Sequence, residues 1–385
     1  MASAAVMDRL VARSLARNAP LNVHFDVTYR CNERCVHCYL DHADHGEMTT
    51  AEIKRVLAEL AEAGTLFLTF SGGEIFLRPD FFDLLACARK LRFDVTLKTN
   101  ALLITEERAA QLRRLGVRRI QISLYSADAA IHDAITKVPG SFARTLEALR
   151  FCHAQGLLVK ISCPLMKQNI AVWREVQALA DLLGVTFIMD PTITPMMDGN
   201  RSTLDMRLAA SELLPVMQAP VFDAPASAPA KAEDAEMAAA FDNIPCSAGH
   251  NSLYISPYGD IYPCVQMPLP TGNLREKSFS DIWFGSPKML RVRNVRESDL
   301  AICNDCDIRQ HCQRCPGLAF MEDGDLGGPS ERACELAEAA ARIAGVRNPV
   351  SGLRALGRLH TTSNSHPAQL VHIAALSTPQ ERESL

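Results

Sequence analysis

Cysteine is the residue type whose spacing points to chemistry. The stretch Thr28 to Leu40, TYRCNERCVHCYL, places Cys31, Cys35 and Cys38 within eight residues. Disulfide pairing would strand one of the three thiols, and a tetrahedral zinc site would be one ligand short. Thiolates favour zinc, copper(I) or iron–sulfur clusters. A four-iron cluster held by three cysteines keeps one iron without a protein ligand, and an open coordination position on a metal is where catalysis occurs, as in zinc enzymes. His37 is an alternative fourth ligand. It adjoins Cys38, where the chain would have to fold back tightly, so its ring is expected to pack against the centre instead.

Thirteen cysteines occur in the chain, and ten of them fall in three tight patterns. In the second pattern twelve residues separate Cys246 from Gly259, and four more precede Cys264. The third is C-x2-C-x5-C-x2-C at Cys303, Cys306, Cys312 and Cys315, followed by Cys334 where a helix is expected to begin. Clustered thiols in a reducing compartment usually bind metal. These seven could hold zinc, in one site with spares or in two with His250, His311 or an aspartate added, or they could hold iron–sulfur clusters. Cys87 and Cys152 sit on helix-like segments and read as small core residues. Cys163 ends an expected strand, and its role is open.

The elements that must position these thiols alternate. Strands are expected at 22–28, 65–70, 93–99, 118–125, 158–163 and 185–190. Helices are expected at 50–64 (Thr49 or Thr50 as N-cap, Gly64 as stop), 79–91 (Pro79 in the first turn), 105–116, 141–156 and 171–184. Six βα-type steps imply a parallel sheet with helices outside, as a partial barrel or an open doubly wound sheet, with ligands at the carboxyl ends of the strands. The first cysteine cluster follows the first strand at that end. SPYGDIYPC reads as a hairpin that brings Cys246 and Cys264 together. The expected divisions are an extension at 1–21, a barrel at 22–202, an Ala/Pro-rich linker at 203–245, a Cys-rich domain at 246–340 and a loosely held or partner-binding tail at 341–385.

With 385 residues and 48% apolar composition, two domains with a substantial core are expected. The net charge of -4 argues against a nucleic-acid surface. No apolar run approaches a membrane span. The N-terminal stretch lacks the apolar region of a signal peptide and reads as a short helix, with a transit peptide as the alternative, so the cytosol is the expected location.

Together the residues resemble the radical S-adenosylmethionine (SAM) superfamily, whose signature is C-x3-C-x-aromatic-C, with His37 in the aromatic place. Further matches span residues 22 to 200. SGGE at 71–74 resembles the family's GGE motif, in which the backbone of Gly72 and Gly73 approaches the SAM amino group and Glu74 completes the site. KTNA at 98–101 supplies Thr99 and Asn100 as polar contacts, Ser123 matches a SAM-contacting serine, and Tyr39 would offer a backbone contact to adenine. Lys137 lies in HDAITKVPGSF, a stretch that resembles HD-x-x-RG, and is the basic residue there, without the bidentate fork of an arginine. The seven later cysteines resemble the SPASM extension of the same enzymes, with x2 in place of x3 before Cys315. The family pattern assigns Cys303, Cys306, Cys312 and Cys334 to an outer auxiliary cluster and Cys246, Cys264 and Cys315 to an inner one. The inner cluster then needs a non-cysteine ligand or is open to substrate.

The resemblance implies a [4Fe-4S] cluster with an open iron, SAM, and two auxiliary iron–sulfur clusters. Reductive cleavage of SAM would give a 5′-deoxyadenosyl radical that abstracts hydrogen from the substrate. It implies a maturase that modifies a ribosomally made peptide or a protein side chain, with a tetrapyrrole side-chain enzyme of haem biosynthesis as the alternative. A zinc-stabilised binding module is the non-enzymatic alternative. Expected partners are the substrate, an electron donor such as flavodoxin or ferredoxin, and a separate leader-peptide-binding protein or a sheet edge that serves for it. A general base is assigned to Asp190 at the sixth strand end, with Asp198 and Asp260 as others. For all three a capping role is the competing reading. Met196 and Met197 would line a substrate pocket or fill core.

Overall fold

The computed structural model describes residues 2–219 and 244–357. Its sheet has nine strands in the order β6-β5-β4-β3-β2-β1-β7-β8-β9. They are β1 (Asn22–Thr28), β2 (Phe67–Gly72), β3 (Asp94–Thr99), β4 (Arg119–Ser123), β5 (Leu158–Pro164), β6 (Thr186–Asp190), β7 (Ser252–Ile255), β8 (Asp260–Tyr262) and β9 (Gly272–Asn273). Neighbours from β1 to β6 pair in parallel, as the six-step alternation implied.

Alternation along these strands sorts the side chains. Val23, Phe25, Leu68, Phe70, Val95, Leu97, Ile120, Ile122, Val159 and Ile161 are buried in one core. Against them lie Ile53, Val56, Leu57 and Leu60 of the Thr50–Glu62 helix and Phe81, Leu84, Leu85 and Ala88 of the Phe81–Lys90 helix. The opposite face carries mostly polar residues at the intervening positions, among them Asp26, Ser71, Lys98, Gln121 and Ser162, with Phe67, Leu158 and Ile188 as apolar exceptions. Apolar residues therefore meet the helices, and the inner face is a polar lumen.

The Thr50–Glu62 helix begins with a capping box between Thr49 and Glu52. The next helix starts at Phe81, later than the expected 79. A 3-10 turn at Ile75–Leu77 precedes it, and Asp80, held by the Arg78 guanidinium, takes the N-cap place ahead of which Pro79 lies.

The largest difference from expectation lies at β1. The Cys-rich segment is not a separate lobe: β7 pairs in parallel with β1, from Asn22↔Ser252 to Phe25↔Ile255, and β8 and β9 continue as an antiparallel meander. A six-stranded sheet would leave β1 as an open edge, and β7 covers its unpaired N–H and C=O groups.

Two expected boundaries also change. Residues 210–217, placed in the linker, form a helix whose Leu213 and Val216 are buried. Arg332 donates to the Leu208 carbonyl (2.9 Å), which ties this region to the Glu331–Ile343 helix. The rest of the expected linker, 220–243, lies outside the described residues, as does 358–385 of the tail. The first part of that tail is ordered: Glu338 accepts from Ser351 N, Ser351 Oγ and Arg354 Nε. Among the described residues no helix is long and apolar enough to cross a membrane.

Candidate functional site

The three cysteines follow β1 on a loop fixed from below by charge. Glu47 accepts from Thr28 Oγ1 (2.5 Å), Tyr29 N (3.1 Å) and Arg30 Nη2 (3.0 Å). The buried Arg78 donates to the carbonyls of Val27 and Met48. From the side, Arg34 N and Val36 N donate to the carbonyls of Thr136 and Ile135, at the end of the Ala129–Thr136 helix.

Gly72 and Gly73 cross directly against this loop. Gly73 N donates to Thr28 O (2.8 Å) and Glu74 N to Arg30 O (2.9 Å). A Cβ on Gly72 would lie 2.1 Å from Thr28 O, and one on Gly73 would lie 2.3 Å from Arg30 O. Gly72 also has φ +130°, a conformation side chains rarely allow. Glycine is required here by the close approach of two backbones.

Glu74 is fully buried. Its carboxylate accepts from Phe76 N (3.1 Å), Thr99 Oγ1 (2.7 and 2.9 Å) and Asn100 N (2.9 Å). Burial raises its pKa, and those bonds oppose the rise. Glu74 and Thr99, expected among the cofactor contacts, thus bond to one another and lock β2 to β3. Asn100 reaches the cysteine loop itself, with Nδ2 donating to Asn32 Oδ1 (2.7 Å) and lying 3.7 Å from Cys31 Sγ.

The remaining expected residues divide. Ser123 ends β4 half-buried, beside Tyr125, whose hydroxyl lies 3.6 Å from Cys35 Sγ. Tyr39, expected to offer a backbone contact to adenine, accepts from Met197 N (2.8 Å) through its carbonyl. Lys137 is exposed with φ +61° at the C-cap of its helix. Asp190 is exposed at the end of β6 and accepts from Thr192 N (2.8 Å). Asp198 likewise accepts from Asn200 N, and Asp260 from Asn273 Nδ2. Each of these bonds suits the capping role that competes with the base assignment, and each occupies one carboxylate oxygen.

Glu33, Glu47 and Tyr125 were not singled out from the sequence. Glu33 lies between two cysteines and is 2% exposed, and Cys35 Sγ donates to it (3.2 Å). Burial pushes its pKa up to about 7. Glu33 stands inside the quoted cysteine stretch and Tyr125 ends the expected strand 118–125, whereas nothing in the spacing marked Glu47.

Burial pushes the Cys31 thiol up to about 12 and that of Cys38 to about 11, and raises Cys35 as well; Cys38 adds to the rise of Cys31 and Cys35, and Asp26 and Glu33 to that of Cys38. Such thiols ionise against a bound cation, which suits metal ligands and not a free nucleophile. The His37 ring packs edge-on against Tyr125 at 5.0 Å, its buried Nδ1 without a partner, and burial lowers its pKa to about 4. Among the described residues, no three His, Cys, Asp or Glu side chains converge closely enough to hold one metal ion.

The later cysteines form two groups. Cys303, Cys306, Cys312 and Cys334 line one cavity of about 240 Å³, with Arg309, Arg314, Ser351 and Gly352. Cys334 lies in the first turn of a helix capped by Ser330. Cys246 and Cys264 share a small apolar cluster with Ala248, Met267 and Leu269. Burial raises both thiols, Cys264 to about 11, and the nearby Cys315 raises both further. Gln266 Oε1 lies 3.6 Å from Cys315 Sγ. A Cβ on Gly317 would lie 2.4 Å from Gln266 O, so the turn after Cys315 also needs glycine. His250 Nδ1 donates to Asn18 Oδ1 (3.1 Å), and burial lowers its pKa to about 4.

Comparison with known proteins agrees with this geometry. Residues 25–180 match the radical SAM superfamily, and residues 246–307 match SPASM, an iron–sulfur cluster-binding domain. The mycofactocin maturase MftC of Mycobacterium tuberculosis (strain ATCC 25618 / H37Rv) is 30% identical over 336 residues, covering 81% of this chain and 82% of that protein. The AdoMet-dependent heme synthase of Methanosarcina barkeri is 28% identical over 330 residues, covering 80% of this chain and 94% of that protein. The crystal structure of Streptococcus suis SuiB bound to S-adenosylmethionine superposes with TM-score 0.60 at 19% identity, covering 82% of this chain and 77% of that one. The loop of three thiols beneath two obligatory glycines, at the carboxyl edge of a parallel sheet, belongs to an enzyme of the radical SAM superfamily that carries an iron–sulfur-binding SPASM domain.

Proposed function

We propose that the protein modifies a ribosomally made peptide or a protein side chain by an oxidative, hydrogen-abstracting reaction. The observation that carries the reading is the cysteine loop at the carboxyl end of β1, the strand that the auxiliary-cluster segment joins through β7 and the Tyr254–Asp26 hydrogen bond. Similarity to MftC supports a peptide substrate. Bound to these thiols, the clusters and SAM supply reductive cleavage of a sulfonium, hydrogen abstraction and a sink for the electron that substrate oxidation leaves. Cys31, Cys35 and Cys38 hold the open cluster, and the backbone of Gly72 and Gly73 faces the SAM amino group. Asn100 and Ser123 supply polar contacts. Cys303, Cys306, Cys312 and Cys334 hold the outer auxiliary cluster, and Cys246, Cys264 and Cys315 the inner one. Asp190, at the open mouth, is the base candidate. A flavodoxin or ferredoxin in the cytosol donates the electron, and a separate protein or an uncovered strand edge receives any leader peptide.

The test is anaerobic. Iron- and sulfide-loaded protein, reduced with dithionite, should release 5′-deoxyadenosine from SAM. Replacing Cys31, Cys35 and Cys38 together by alanine should abolish that release and leave the signals of the auxiliary clusters. A short peptide encoded beside the gene should change mass on turnover. The heme synthase similarity, spanning 94% of that relative, supports a second reading, a tetrapyrrole side-chain reaction. Turnover of an iron tetrapyrrole, with the peptide unchanged, selects it.

A further inference from the structure

Most charges on the inner face of the sheet are answered. Asp26 is fully buried, and both its oxygens are taken: Oδ1 pairs with His24 Nε2 (3.0 Å) and Oδ2 accepts from Tyr254 Oη (3.0 Å). Tyr254 in turn bonds Tyr29 Oη at 2.6 Å. Lys98 is the exception. It is half-buried, on the lumen face of β3, one residue before Thr99. Among the described residues its ammonium has neither a hydrogen bond nor an ion pair. The groups whose charge favours its ammonium are Asp26, committed as above, Asp190, exposed at the end of β6, and the Cys264 thiol, while Lys160 opposes it.

Register extends the feature. Lys98 lies beside Gln121 on β4, and Gln121 beside Lys160 on β5, so the three form one row. Ser123 and Ser162 form the corresponding pair one layer nearer the strand ends, where the cysteine loop lies. Neighbouring strands lie about 4.8 Å apart, so the backbones of Lys98 and Lys160 are about 10 Å apart, within reach of one small anion between two long side chains. Lys160 is exposed, which leaves this row open to an entering molecule. A cation held in a partly closed cavity without a counter-ion is costly, and an entering carboxylate would supply one.

We propose that Lys98, with Lys160, binds a carboxylate of the substrate and so sets which substrate atom stands above the row, toward the cysteine trio. This rests on the reading that the lumen takes the substrate, and it narrows the substrate class to molecules that carry a free carboxylate near the reacting position. Burial lowers the Lys98 pKa while Asp26 and Asp190 oppose the change, and a bound carboxylate would hold the amine charged in the same way.

The experiment needs no turnover, so it stays separate from the peptide assay. The cluster-loaded enzyme is pulsed with acetic anhydride, and modification of Lys98 and Lys160 is counted by mass spectrometry. The pulse is repeated with glutarate, with its neutral analogue glutaramide, and with SAM alone. Glutarate should slow acetylation of Lys98 at least threefold, and glutaramide should not. Equal rates with the two would overturn the proposal. Equal protection by SAM alone would also overturn it, because the carboxylate served would be the cofactor's. In Lys98→Arg, glutarate should still protect Lys160, and in Lys98→Met that protection should be lost. Persistence in Lys98→Met would show that the row does not act as one site. Failure of the peptide to change mass, with glutarate protection intact, would remove the peptide reading alone.

Discussion

At the scale of single residues, the site depends on atoms that have no room to move. Gly73→Ala would place a methyl 2.3 Å from the Arg30 carbonyl, and the loop that carries Cys31 would have to retreat. Overpacking of this kind costs about 1–3 kcal/mol. The functional loss should exceed that cost, because the thiols themselves are displaced. We expect at least a tenfold fall in 5′-deoxyadenosine release and reduced iron in the open cluster, read by iron analysis and electron paramagnetic resonance. Tyr254→Phe removes one of the two bonds to the buried Asp26. An orphaned buried acceptor costs about 1–3 kcal/mol, so thermal unfolding should shift down by several degrees. If the variant melts as the parent does, Tyr254 is not supporting Asp26.

At the scale of elements, the barrel and the cluster segment are joined by charge as well as by β7. Arg275 donates to Glu52 Oε1 (2.7 Å) and to the carbonyls of Gly46 and Glu47, and Glu52 also closes the cap of its own helix. The Arg275 guanidinium, the Thr49 bonds and the nearby charge hold the Glu52 carboxyl down at about 2. Its stabilising contribution is therefore full above the ordinary value near 4.5 and is lost as pH falls from there toward 2. The pair is partly exposed, so solvent screening limits it to about 1 kcal/mol or less. Glu52→Gln should lower stability by that amount at pH 7, and the difference between variant and parent should shrink below pH 4. A constant difference across that range, in denaturant unfolding, would show that the charge is irrelevant. The elements themselves were legible because hydrophobic alternation, helix stops such as Gly64 and the Thr49 cap are local. What was not legible is long-range. Nothing in SLYISPYGDIY says that its first four residues pair with β1, since the partner lies more than 200 residues earlier. The same limit hid Glu47 and the exchange of Glu74 with Thr99; the first cysteine trio is local in sequence, whereas the grouping of the later cysteines came from the resemblance to the family pattern.

At the scale of the whole molecule, the outer-cluster cavity is closed by a segment the sequence left as tail. Ser351 and Gly352 line that cavity, and Glu338 holds Ser351 and Arg354 in place while itself 2% exposed. Breaking a buried charge pair by removing one partner costs about 3–5 kcal/mol. Here Arg354 is more than a third exposed, so a value at or below the lower end is expected. Glu338→Ala should release residues 351–355 to proteolysis and lower the iron bound by Cys303, Cys306, Cys312 and Cys334, while the cysteine trio keeps its cluster. Equal loss from all sites would instead mean global unfolding.

The β1–β7 pairing has a consequence for how the protein is made. The strand that leads into the reactive loop gains its second neighbour only when residue 255 has left the ribosome, long after its first neighbour at residues 67–72 is in place. Until then one flank of the nascent sheet offers bare amides and carbonyls to any passing strand. A chain ending at residue 219 should accordingly self-associate, and adding back a peptide that spans residues 250–264 should return it to a monomer in sedimentation.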